Sequence, residues 1–248
     1  QSYPLEIVKQ SLKTLGFEEA SANFYHLGYE TVVMSTETAQ LFGYKSDGSE
    51  KIVAMSGRKG IEVPIDELLA KMTDFVSSRN NEKKGNTLTQ EESKEIAASA
   101  LRYYMTKFNY NTIIVFDINE ALKSDGDSGI YLMYAYVRAL GILKTNNFSN
   151  QVVTTTPENI NSAATELLTT LSFAKDAVET VVKTREVTKL TEYTYTLAKL
   201  FTTFYASVNI GKLENEEEKA FYLNLVSAFA IVYKDLLDML GMSAPEKM

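Results

Sequence analysis

From Gly129 to the last residue, apolar side chains recur at the three-to-four-residue spacing of a helix and almost never alternate. A chain patterned this way over its second half cannot be a sheet protein there. Residues 131–143 (YLMYAYVRALGIL) read as one helix, and further helices fall near 158–172, 173–207 and 215–241, with a break expected near Lys183. Polar stretches at 145–159 and 209–218 separate them. Successive amphipathic helices with short breaks bury their stripes on one another, which predicts a bundle. No segment recurs at a fixed period, which argues against a solenoid.

The first part reads differently. Residues 4–15 place Leu5, Val8, Leu12 and Leu15 on one helix face, and Gly16 supplies a stop. Val32–Met34 reads as a buried strand and KIVAM (51–55) as a second short one, separated by turn chemistry at 46–50. A helix starts near Asp66, residues 79–87 look like a linker, and Thr89 opens a long helix with Ile96, Ala100, Tyr103 and Tyr104 on one side. TIIVFD (112–117) is a brief apolar run, and SDGDSG (124–129) breaks the chain again. The expected fold class is therefore mainly α: an α/β portion to about residue 85, then an all-helical module.

Charge and composition narrow the function. Across 248 residues the formal net charge is −7 and the pI about 5.0, so nucleic acid is not bound by bulk charge and DNA is not an expected partner. A selective RNA binder remains open, since local patches and stacking act inside an acidic protein. Without cysteine there is neither a disulfide framework nor thiolate chemistry. No run reaches the roughly 20 apolar residues that span a bilayer, and the N-terminus lacks signal-peptide form. A cytoplasmic, monomeric protein with no metal-ligand cluster and no membrane partner is expected. The first residue is Gln rather than Met, which suggests a chain beginning inside a longer protein.

Four motifs carry the chemistry. The first is A-M-S-G-R-K-G (54–60), a cationic loop bracketed by glycines. On its own it reads as a basic surface turn. The second is the run from Leu15 to Met34, with His26, the only histidine, just before the strand; alone, His26 reads as a packed side chain. The third, FDINEALKSDGDSGIYLMYAYVRALGIL (116–143), sets Tyr131, Tyr134 and Arg138 at i, i+3 and i+7, on one helix face. Such a face stacks on splayed bases and meets phosphate, or else is a tyrosine-rich core stripe with an arginine snorkelling outward. The fourth closes the chain: YTYTLAKLFTTFY (193–205) and LLDMLGMSAPEKM (236–248).

In this order these segments resemble the arginyl-tRNA synthetases, class I aminoacyl-tRNA synthetases. The loop resembles their K-M-S-K-S signature, followed here by GIEVPIDELL as in the family's G-x-x-V-x-x-D-x-L-L. The third segment resembles F-D-x-x-x-x-L-x-x-x-G-x-T-G-x-Y-L-x-Y-x-x-x-R, and the last resembles L-x-L-L-G-I-x-x-P-E-x-M. The resemblance implies the end of a Rossmann-type catalytic domain with the signature loop (1–85), a connecting helix and linker (86–126) and a helical anticodon-binding domain of DALR type (127–248). It implies ATP with Mg2+ in the intact enzyme, arginine as substrate and tRNA-Arg as partner. Residue by residue, it assigns Ser56, Arg58 and Lys59 to stabilising phosphate charge as pyrophosphate leaves. Met55 and His26 fall to the ATP pocket, and Gln1 to a glutamine that touches the amino acid. Tyr131, Tyr134, Arg138, Lys144, Phe204 and Met248 fall to the tRNA; core packing is the rival reading for Phe204.

The departures matter too. Ala54 and Gly57 stand where K-M-S-K-S has lysines, Lys144 replaces a frequent arginine, and Asp127-Ser128 replaces Asn-Thr. The ATP-binding H-I-G-H signature is not in the chain, so these residues by themselves are expected to be inactive. Two readings follow: the C-terminal part of an arginine–tRNA ligase, or a standalone tRNA-binding module without ligase activity.

Overall fold

The computed structural model describes residues 2–45, 51–54, 63–81, 88–149, 157 and 159–248. The signature-like loop (55–60), the turn at 46–50 and Gln1 lie outside them. Helix α1 (Ser2–Thr14) ends where Gly16 takes a left-handed φ of +87°. After α2 (Glu18–Asn23), strand β1 (Val32–Ser35) pairs antiparallel with β2 (Ile52–Val53), matching Met34 with Val53. It also pairs in parallel with β3 (Ile114–Phe116), matching Val33 with Val115. The apolar run at 112–117 thus becomes a sheet strand supplied by the segment expected to connect the two modules.

Polar residues close that sheet. Ser35 caps α3 (Thr36–Gln40) by accepting from the Thr38 amide at 3.1 Å, and its hydroxyl donates to Asp117 at 2.6 Å. The other Asp117 oxygen accepts from the amides of Asn119 and Glu120, both at 2.9 Å, capping α6 (Ile118–Ala121). The F-D pair therefore has a structural reason: Phe116 is fully buried, and Asp117 ties β1 to β3.

Helix α4 (Ile65–Asn81) runs through residues 79–81, so the linker-like stretch begins later than its composition suggests. Helix α5 (Gln90–Thr106) opens with a capping box: Thr89 accepts from the Glu92 amide at 3.2 Å, and Glu92 accepts from the Thr89 amide at 2.7 Å. It packs on both α4 and α7 (Gly129–Thr145), bridging the sheet region and the bundle. At the α5–α7 crossing only a glycine fits, since a Cβ on Gly129 would lie 2.8 Å from the Ala100 Cα. The bundle is completed by α8 (Ser162–Ser172), α9 (Ala174–Thr184), α10 (Val187–Ser207) and α11 (Glu216–Met239), with a 3-10 turn at Ile210–Lys212. The expected break falls at Arg185, held at φ 61°.

One sequence expectation needs correcting. Helix α11, at 24 residues with a mean hydropathy of 1.4 in its most apolar window, is long and apolar enough to cross a membrane. Half of that window is buried, and Phe229, Tyr233 and Leu237 have no exposure, as the central helix of a bundle requires. A core helix passes the same hydropathy test because it too avoids water.

The C-terminal tail is fastened to α5. Arg102 donates to the Gly241 carbonyl at 2.7 Å, the Ser243 amide donates to Ser99 at 2.8 Å, and Lys247 pairs with Glu92 at 3.0 Å. The Thr89 amide, and then Lys247, hold the Glu92 carboxyl below its ordinary 4.5. A depressed carboxylate contributes stability above the unfolded value and loses it as pH falls through the folded one. Glu92→Gln is therefore expected to lower the melting temperature at neutral pH and to shrink its fall on acidification below 4.5. Thermal melts at both pH values check this; parallel wild-type and variant curves would refute it.

Candidate nucleic-acid interface

Helix α7 carries the candidate face, and the turn before it fixes where that face points. Ser128 caps the helix, accepting from the Tyr131 amide at 3.2 Å while its hydroxyl donates to the Lys123 carbonyl at 2.7 Å. Tyr103 donates to Asp127 at 2.5 Å, and Lys107 donates to the Asp127 carbonyl at 2.8 Å. Burial first, and then the Asp127 carboxylate, push the Tyr103 phenol far above its ordinary range, so it remains a donor. Asp127 is thus more than a turn former: it locks the 124–128 turn onto α5.

On a helix, Tyr131, Tyr134 and Arg138 fall within an arc of roughly 60°, yet each meets a different neighbour. Tyr131 is half-buried; its hydroxyl donates to Thr202 at 3.1 Å, and its ring stands edge-on to Tyr195 at 5.9 Å. That makes Tyr131 a strut between α7 and α10. Tyr134 lines a cavity of about 500 Å³ together with Met248, Ile96, Ile130, Arg79 and Lys123. The Arg138 guanidinium lies 5.1 Å from the centroid of Tyr205, at the edge of a second cleft.

The Tyr134–Met248 cavity has mixed chemistry. A phenol ring, a thioether and two isoleucines offer soft apolar walls for a planar group. Arg79 and Lys123 supply cations beside them, although each has a partner within the chain. Arg79 donates to the Leu122 carbonyl at 2.7 Å. Lys123 meets Glu120 at 2.5 Å, and that carboxylate holds its ammonium above the usual lysine range. One acid, Asp125, also lines the space. Sequence reasoning missed Arg79 because its segment reads as linker; its role appears only when α4 packs on α5.

Three other expectations meet the structure less simply. Phe204 has no exposed surface and sits among Phe201, Tyr222 and the rest of the core, so its ring has no face to give a base. The correction has a plain geometric cause: neighbours on a helix point about 100° apart. Leu197, Phe201 and Phe204 form the inward stripe, while Tyr205 turns outward with 45% exposure. Lys144 is exposed and shares its groove with Glu92, Glu95 and Glu246 and with a second cation, Lys247, which pairs with Glu92 at 3.0 Å. His26 is half-buried in the extended segment before β1; its neighbour Tyr25 carries the Arg185 guanidinium 4.0 Å above its ring. Met55, Ser56, Arg58, Lys59 and Gln1 fall outside the described residues.

A helical module presenting an apolar, cation-flanked cavity at its chain terminus is the class of protein these features define. Residues 132–248 match the family model of the DALR anticodon binding domain. Over its whole length the chain is similar to arginine–tRNA ligases, with 32% identity to that of Thermococcus kodakarensis and 31% to that of Bdellovibrio bacteriovorus. It spans 38% and 40% of their respective lengths and aligns with a C-terminal portion. The solved structure of Thermus thermophilus arginyl-tRNA synthetase superposes with a TM-score of 0.82 at 26% identity, covering all of this chain and 40% of that one.

Proposed function

We propose that the chain acts within an arginine–tRNA ligase, holding tRNA-Arg by its anticodon loop and lending the signature loop to ATP-dependent attachment of arginine. The cavity formed by Tyr134 and Met248 carries this reading. These residues are distant in sequence, and the fold brings their soft faces together beside Arg79 and Lys123. An unpaired base displaced from its loop stacks on such a surface while its backbone meets the cations. The net charge of −7 suits discrimination, because bulk attraction does not compete with the local site.

In this reading residues 127–248 read the anticodon, 86–126 connect, and 1–85 belong to the catalytic domain. Ser56, Arg58 and Lys59 stabilise the charge on the departing pyrophosphate of Mg2+-bound ATP; Met55 and His26 face the nucleotide and Gln1 the arginine. Tyr131 and Lys144 sit at the edge of the tRNA site. The protein works as a cytoplasmic monomer.

Tyr134→Ala is expected to weaken tRNA-Arg binding by about 1–3 kcal/mol, the worth of one stacked base. Arg138→Ala is expected to weaken it comparably while also flattening its salt dependence. Filter binding against tRNA-Arg and a non-cognate tRNA, with circular dichroism to confirm the fold, checks both. Equal, salt-sensitive binding of every RNA, or affinities unmoved by either substitution, would refute the proposal.

A further inference from the structure

The C-terminal tail runs down one face of α5, and its two halves are held unequally. Gly241 leaves α11 with a left-handed φ of +68°, which turns the chain back onto α5. From there its contacts descend through Arg102, Ser99 and Glu92, and Glu95 lines the groove between them. Spacings of three, four and three residues put these four side chains on a single helix stripe. Between Arg102 and Glu92 the helix rises about 15 Å. The chain from Gly241 to Lys247 covers that length when nearly extended, at about 3.3 Å per residue. Pro245 fixes its own φ and disfavours the helical region for Ala244. The near half is tight: Met242 is buried, and the Ser243 amide reaches Ser99 at 2.8 Å. The far half rests on the packing of Ala244 and Met248 and on the Lys247–Glu92 pair, whose side chains are 40% and 36% exposed. A pair so exposed shifts an equilibrium by no more than about five-fold. Beside it lies a groove of about 590 Å³, room for the far half to lift.

We propose that residues 244–248 form a strap that hinges at Ser243 and closes to set Met248 in the wall of the Tyr134 cavity, with Glu92 as the positioning residue that holds it shut. Met248 lines that cavity from the last position of the chain, so its part of the wall exists only while the strap lies on α5. Opening removes the thioether face and leaves Tyr134 and Ile96 in place, since both belong to helices. Apparent affinity scales with the closed fraction, so a pair that shifts this fraction changes RNA binding without touching the RNA. The Thr89 amide, donating to Glu92 at 2.7 Å, fixes the carboxylate where Lys247 arrives. The inference rests on the RNA reading given above.

Glu92→Gln separates the two contacts of that carboxylate. The amide oxygen still accepts from Thr89, as capping boxes allow, while the charge that holds Lys247 is gone. Fluorescence anisotropy on an arginine anticodon stem-loop RNA would compare wild type, Glu92→Gln, Met248→Ala and the double variant. Glu92→Gln is expected to weaken binding roughly two- to five-fold. Long-range charge alone predicts the opposite sign, because the substitution removes an acid from a chain of net charge −7. In the Met248→Ala background the effect of Glu92→Gln should vanish. Tighter or unchanged binding by Glu92→Gln overturns the strap, and so does an equal loss with and without Met248; the RNA reading stands in either case if Tyr134→Ala weakens binding. A stem-loop that wild type does not bind overturns the RNA reading. The strap is then decided by the methyl signal of Met248 in the chain labelled with 13C-methyl methionine, identified by its loss in Met248→Ala. Glu92→Gln should shift and narrow that signal, and an unmoved signal overturns the strap.

Discussion

Phe201→Ala is expected to cost about 3–5 kcal/mol of stability, the usual loss for deleting a buried aromatic ring. The ring has no exposed surface and stacks on Phe229 with centroids 4.2 Å apart and planes 6° apart. Phe229 stacks in turn on Tyr233 at 4.7 Å, so one file of rings joins α10 to α11. Nothing nearby is placed to refill the space: Leu197, Ala198 and Leu237 are themselves fully buried in a packed interior. Lost stacking adds to the lost burial. Since a domain of this size is stable by only about 5–15 kcal/mol, the variant sits near the edge of folding. Phe201→Leu should cost much less because most of the volume remains. Urea denaturation of all three proteins checks the order. A loss below about 1 kcal/mol in the alanine variant would mean that the bundle relaxes around the gap instead of keeping it.

Helices were legible in the sequence to the extent that their signals are local. Thr89 and Glu92 announce a capping box three residues apart, and the structure forms it. Gly16 ends α1 because only a residue tolerant of positive φ turns the chain there. The Lys183 break lies two residues from Arg185, which takes the left-handed conformation that ends α9. What escaped were decisions made across the chain. β3 has three residues, too few to show a period, and it is a strand only because β1 lies beside it. Residues 79–81 look like linker until α4 carries Arg79 to the Leu122 carbonyl.

The candidate site divides along the same line. Tyr134 and Arg138 were legible because helical spacing and a motif agreed on them. Phe204 and Tyr205 are adjacent aromatics, and the motif alone does not say which turns inward; the stripe through Leu197 and Phe201 does. Lys144 was legible only as a charge; that it shares a groove with Glu92, Glu95, Glu246 and Lys247 depends on the C-terminal tail folding back on α5.

Arginine-dependent exchange of pyrophosphate into ATP is expected to be absent from the 248-residue chain, even in a preparation that binds tRNA-Arg. Activation requires the arginine carboxylate in line with the α-phosphate while charge builds on the leaving pyrophosphate. In the proposed reading Arg58 and Lys59 address only the second of these. The H-I-G-H signature needs two histidines and the chain has one, His26, so that signature is not in this sequence. Correct placement of reactants is worth about 7–11 kcal/mol of barrier, and losing most of that takes the rate below detection. Retained tRNA binding serves as the control that rules out misfolding as the cause of silence. Exchange above background would show that these residues assemble a complete activation site, which would overturn the assignment of 1–85 to one part of a catalytic domain. The same cations also separate the two functional readings. In a longer protein that carries H-I-G-H upstream, Arg58→Ala should lower the activation rate and leave tRNA affinity unchanged; in a standalone binder it should change neither.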